Sequence, residues 1–194
     1  MRRLLWLCLL LALVTFGIAL QAVAQYSEEG NQKFSIFAGL YMPSGSTLRN
    51  QGSTAWKSFG VSRNAKMDDY DRPISYLSLD VATSARGYFT GSKYGLTYTY
   101  LFRKPITGES VRGFYYGLGA GISAVSEKIV RNLYVDPPIF GEENSGMQFN
   151  VSVLGGYDFN EYFFAELRYT KTTELAPNVD FSGLTMHVGT RSLF

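Results

Sequence analysis

Cysteine and histidine are almost missing from this chain. Among 194 residues there is one cysteine, Cys8, and one histidine, His187. A single cysteine rules out an internal disulfide, and with one histidine beside it there is no thiolate or imidazole set to hold a metal. The nearest approach to an acidic ligand cluster, Asp68-Asp69 with Asp71, reads as a solvated turn. No metal and no cofactor is expected. Charge is also sparse: Asp, Glu, Lys and Arg make up 18% of the chain, against ~25% in ordinary soluble domains. No basic stripe of the kind that binds nucleic acid is present. Beyond residue 24 no segment carries a helical period.

The one long apolar run lies at the start. Met1, Arg2 and Arg3 form a positive head, Leu4 to Leu20 is nearly all apolar, and Ala22-Val23-Ala24 supplies the small residues that signal peptidase requires. The run falls short of the ~20 apolar residues that span a bilayer, so a retained membrane helix is the weaker reading. Residues 1–24 are expected to be a cleaved secretory signal and 25–194 a single domain. Removing the signal takes Cys8 with it. It also lowers the basic count from 18 to 16, equal to the 16 acids, so the mature chain is formally neutral.

What the remainder has in quantity is Tyr, Phe and Gly, at 14, 14 and 20 residues. These sit in runs of period-two alternation separated by turn residues, the mark of strands. In Tyr94–Phe102, Tyr94, Leu96, Tyr98, Tyr100 and Phe102 oppose Gly95, Thr97, Thr99 and Leu101. Phe114–Ser123, Gln148–Tyr157 and Tyr162–Thr170 alternate likewise, and a last run from Leu184 to Phe194 sets Leu184, Met186, Val188 and Phe194 against Thr185, His187, Gly189 and Arg191. Phe34–Met42, Trp56–Arg63 and Ile74–Val81 complete eight candidate strands. An even number brings both ends of the chain to one side. The segments Pro43–Ala55, Ala82–Lys93, Ala124–Met147 and Lys171–Gly183 then form the opposite, outward set of loops.

The face opposite the aromatics decides what the strands enclose. It carries Gly, Thr, Ser and Asn rather than the Lys, Glu and Asp of a water-facing surface. Small residues suit the crowded lumen of an eight-stranded barrel, and the aromatic face then meets lipid. The expected fold is an all-β, eight-stranded, antiparallel up-and-down transmembrane β-barrel. The export signal, the strands, Tyr115-Tyr116-Gly117-Leu118-Gly119-Ala120-Gly121, Phe164-Ala165-Glu166-Leu167-Arg168-Tyr169 and the terminal Phe194 together resemble the OmpA/OmpX/OmpW-like outer-membrane barrels. The resemblance covers the whole mature chain. It implies location in the bacterial outer membrane, contact with outer-membrane lipid and lipopolysaccharide, and passage through the barrel assembly machinery, for which a C-terminal aromatic is the signal. That role maps onto Phe194, although Thr190 and Ser192 stand where such barrels prefer apolar or aromatic residues.

On this face assignment Asp80, Glu166, Arg168, His187 and Arg191 point into the lumen, where charges have to pair. The resemblance further implies that such a network, here Glu166, Arg168 and Arg191, blocks or gates the barrel. The function expected is non-enzymatic, structural in the envelope or displaying surface loops to partners. A narrow pore for small solutes or apolar compounds is the alternative. A lipid-modifying enzyme would need a Ser/His pair on the lipid-facing surface, whereas His187 falls on the inner face. A soluble lipocalin-like barrel would show an early Gly-x-Trp signature, a cysteine pair and a terminal helix, none of which occurs.

Overall fold

A computed structural model describes residues 34–68, 72–103, 112–132, 139–173 and 179–192. The expected signal at 1–24 and the candidate assembly residue Phe194 lie outside these. The strands are β1 (Phe34–Pro43), β2 (Trp56–Met67), β3 (Pro73–Arg86), β4 (Phe89–Arg103), β5 (Gly113–Asn132), β6 (Ile139–Asp158), β7 (Phe163–Thr172) and β8 (Gly183–Ser192). Each pairs antiparallel with the next. β1 also pairs with β8, from Phe34 opposite Ser192 to Pro43 opposite Gly183, so the sheet closes into a barrel. Closure matters physically because a bilayer offers no water to an unpaired strand edge.

Alternation sorts the side chains as their chemistry requires. On β4, Thr97, Thr99 and Leu101 are buried inside while Tyr98, Tyr100 and Phe102 are exposed outside. On β5, Phe114 is 81% exposed and its neighbour Tyr115 is 3% exposed. The exposed belt includes Phe149, Val151, Val153, Leu167 and Val188, an apolar surface that water would penalise and hydrocarbon would not. Near the end of the barrel where Phe34 and Ser192 lie, the aromatics touch in two groups. Phe102 stacks on Tyr116 at 5.2 Å and meets Tyr100 at 5.1 Å, while Tyr157 packs edge-on against Phe114 at 4.7 Å and Phe159 at 5.2 Å. Amphipathic rings of this kind favour the level of the lipid headgroups.

Glycines on the inner face let strands approach closely. A Cβ on Gly121 would stand 2.0 Å from the Leu96 carbonyl oxygen, and one on Gly156 would occupy the place of the Tyr115 ring, 2.2 Å from its Cζ.

Five strands run well past the expected limits, and β2 does so by continuing from Arg63 to Met67. β3, β4, β5 and β6 extend through most of Ala82–Lys93 and Ala124–Met147, which the sequence suggests are loops. The reason is chemical. Ser84, Thr90, Ser92 and Ser126 continue the ladder with small polar side chains, so the strand persists after its hydrophobic alternation has stopped. β3 turns into β4 through only Gly87 and Tyr88, and Gly87 takes φ 55°, a conformation that glycine adopts at little cost. β5 and β6 have 20 residues each, roughly 50 Å of height at a tilt of about 40°, against ~25 Å for the apolar band. The hairpin therefore reaches well beyond the apolar band, with β5 backed by β4 as far as Phe89 opposite Ile129.

The segment Pro43–Ala55 does the reverse of projecting. A short helix, α1 (Ser46–Gln51), turns inward and places Leu48 in the barrel mouth with no exposed surface. Leu48 joins Tyr41, Trp56, Phe89, Val125 and Phe181 in an apolar cluster that fills the end opposite the chain termini. Tyr41 donates its hydroxyl to the Phe181 carbonyl at 2.5 Å, Trp56 donates its indole N–H to Ser53 at 3.1 Å, and the Ser44 amide bonds Ser182 at 2.7 Å. Burying Leu48 and Phe181 contributes roughly 1.5–3 kcal/mol each, enough to hold two loops against the mouth.

Candidate functional site

Below that apolar stopper the lumen is polar. Ser78, Thr97, Thr99, Ser123, Asn150 and Ser152 line its middle, all buried, because these positions share the inward phase of their strands. Asn150 donates to Ser123 Oγ at 2.9 Å and accepts from Thr97 Oγ1 at 3.4 Å, which ties β4, β5 and β6 together across the interior.

The charged groups form two separate centres. In the first, Arg168 on β7 donates through Nε and Nη2 to Glu166 Oε1 at 3.1 and 2.7 Å. Tyr76, reaching across from β3, donates its hydroxyl to Glu166 Oε2 at 2.8 Å and accepts from Arg168 Nη2 at 2.5 Å. Both carboxylate oxygens are thus engaged, as a buried ion pair requires. The second centre lies nearer the chain termini, where Asp158 at the end of β6 is held between Arg103 of β4 and Arg191 of β8. Arg191 Nη1 approaches Asp158 Oδ1 to 2.6 Å. The guanidiniums also cover aromatic faces, Arg103 over Tyr115 at 4.5 Å and Arg191 over Phe164 at 4.7 Å.

Glu166, Arg168, His187 and Arg191 are therefore all in the interior, but they do not make one network. Arg191 pairs with Asp158 rather than with Glu166. His187 Nε2 meets Ser58 Oγ at 2.9 Å and packs on Phe37 at 4.5 Å between ring centroids. Asp80 sits higher, across a cavity of about 10 Å³ that Lys93 and Arg168 also border. Lys93 lies 4.9 Å over the Tyr41 ring and donates to the Phe181 carbonyl at 3.4 Å, linking the polar lumen to the apolar stopper.

Three members, Tyr76, Arg103 and Asp158, were not among the residues singled out from sequence. Strand phase carries the missing signal: Tyr76 is in step with Ser78, Arg103 with Leu101, and Asp158 with Leu154, each pair on the inner face. Asp158 and Arg103 stand where hydrophobic alternation has already ended, so they read as turn residues.

Ser58 and His187 are a nucleophile and base in contact, yet both are buried in the lumen. The cavity that both residues line, about 10 Å³, has room for about one water and not for an acyl chain. Among the described residues no group of His, Cys, Asp and Glu could hold a metal ion.

Fold and interior together define an eight-stranded barrel of the outer-membrane type, with a filled lumen. Solved structures share that fold, among them two that align over most of this chain. The N-terminal β-barrel domain of Pseudomonas aeruginosa OprF aligns with a TM-score of 0.54 at 18% identity, over 84% of this chain and all (100%) of that one. Neisserial surface protein A aligns with a TM-score of 0.51 at 17% identity, over 85% and 98%. At these identities the likeness is one of fold. No protein-family model matches the sequence, and no curated protein matches it either.

Proposed function

We propose that the mature chain is a non-enzymatic, non-conducting barrel of the bacterial outer membrane that holds the β5–β6 hairpin out from the cell surface. The observation that carries this reading is the contrast between a filled lumen and a hairpin far longer than the membrane is thick. Among the described residues β6 has no ladder partner on its far side from Ile139 to Gln148, because its pairing with β7 stops at Asn150 opposite Thr172. The free edge offers backbone donors and acceptors to an extended segment of a partner. Within the hairpin, Asn144 donates to Glu127 at 2.8 Å and Lys128 meets Glu143 at 3.4 Å, contacts that stiffen it above the membrane.

In the same reading residues 1–24 are removed on export, the aromatic belt contacts outer-membrane lipid including lipopolysaccharide, and Phe194 is the signal read by the assembly machinery. Removing Phe194 then lowers the yield of assembled barrel without changing its unfolding once assembled. The direct test is topological. An epitope inserted between Asn132 and Ile139 should label on intact cells, and one inserted after Phe159 only after permeabilisation. The opposite pattern overturns the proposal.

A further inference from the structure

Among the described residues the two charged centres, taken together, are unbalanced. Arg103, Arg168 and Arg191, with side chains at most 8% exposed, face two carboxylates, Asp158 and Glu166. One layer up, Asp80 and Lys93 offset each other and leave the imbalance as it is.

Beside both centres lies a cavity of about 20 Å³. A single water needs about 10–15 Å³ measured this way, so the space is larger than one water requires. Beside the apolar Phe37, Pro73 and Phe164, several donors reach its wall: the hydroxyls of Ser35, Ser62 and Tyr115, the Arg191 guanidinium, and the amide of Asn64. Asn64 is 6% exposed and its Nδ2 is a buried donor without a hydrogen-bond partner. Glu166 also borders the space, but its oxygens are already taken by Tyr76 and Arg168. An orphaned donor, hydroxyls free to rotate and an excess of buried positive charge all ask for the same occupant.

We propose that this cavity binds a small monovalent anion of the size of chloride, held by Asn64 Nδ2 and Arg191 with the hydroxyls of Ser35, Ser62 and Tyr115. The anion supplies the missing negative charge, and the volume excludes sulfate and organic acids. Its role is to complete the electrostatic balance of the barrel end.

The mature barrel, refolded in detergent and shown to be folded by heat-modifiable gel mobility, is unfolded thermally at equal ionic strength in sodium chloride, bromide, sulfate and gluconate. Chloride and bromide should raise the unfolding temperature in a saturable way by about 2–4 °C over gluconate, as binding to the folded state alone requires. Sulfate should behave as gluconate does. Asn64→Asp places a carboxylate where the anion sits, so it should unfold at the same temperature in all four salts. Asn64→Leu should lose the chloride effect without that compensation. Crystals of the unaltered protein grown in bromide should show an anomalous peak between Asn64 and Arg191. Identical unfolding in all salts for the unaltered barrel, or a cavity holding only water in bromide crystals, overturns the proposal.

Discussion

Arg191 of β8 lies 2.6 Å from Asp158 of β6, two strands away across the barrel end. Because Arg103 approaches the same carboxylate, one acid is shared by two bases. Loss of the acid and loss of a base are then unequal. Asp158→Asn leaves two buried guanidiniums facing each other, and it should destabilise the barrel by about 3–5 kcal/mol in urea unfolding. Arg191→Gln leaves Asp158 still paired with Arg103 and should cost less than half as much. Equal effects would show that the two arginines do not share the carboxylate.

The lumen is closed by two unlike barriers in series. Breaking the polar one with Glu166→Ala should leave planar bilayers silent, since Leu48, Trp56 and Phe181 still fill the opposite mouth. Combining it with Phe181→Ser, which puts a small polar residue at the centre of the apolar stopper, should give discrete conductance steps. Conductance in Glu166→Ala alone would place the whole barrier at the ion pair.

Strand number, closure and the inward face were legible because lipid and lumen impose opposite demands on alternate residues. Tyr98 and Thr97 show this as plainly in the sequence as in the fold. What hid was everything that needs no hydrophobic period. The extensions of β3 to β6 are built from small polar residues whose ladder is held by backbone bonds. The inward turn of α1 depends on Leu48 finding Trp56 and Phe181, contacts between loops that no local pattern encodes. The interior charges were found by phase where alternation was strong, at Glu166 and Arg168. They were missed where it had faded, at Arg103 and Asp158.

Gly121 tests how closely the strands need to approach. A methyl group there would meet the Leu96 carbonyl at 2.0 Å, and backbone within a closed sheet cannot withdraw without disturbing both neighbouring ladders. Gly121→Ala should cost about 1–3 kcal/mol. Gly113, which has open space around the position of its Cβ, is the control, and Gly113→Ala should be close to neutral in the same urea titration.

Asp180 fastens the β7–β8 loop over the barrel mouth. Partial burial works against its charge, but hydrogen bonds from the Ser182 hydroxyl and amide, with Lys171 at 3.0 Å, hold its carboxyl below the usual carboxylate range. A carboxyl depressed in the folded state stabilises that state above the unfolded pKa, about 3.9 for Asp, and the contribution disappears as pH falls through the folded value. Phe181 follows Asp180 directly, so protonation should loosen the apolar stopper as well as the loop. Cleavage of the β7–β8 loop by pepsin, which is active in acid, should therefore accelerate as the pH drops below about 4, while the barrel strands stay resistant. Compared with the unaltered protein at each pH, Asp180→Asn should be cut faster at pH 5 and at about the same rate at pH 2. If the ratio of the two rates is the same from pH 5 to pH 2, the Asp180 contacts are not what holds the mouth closed.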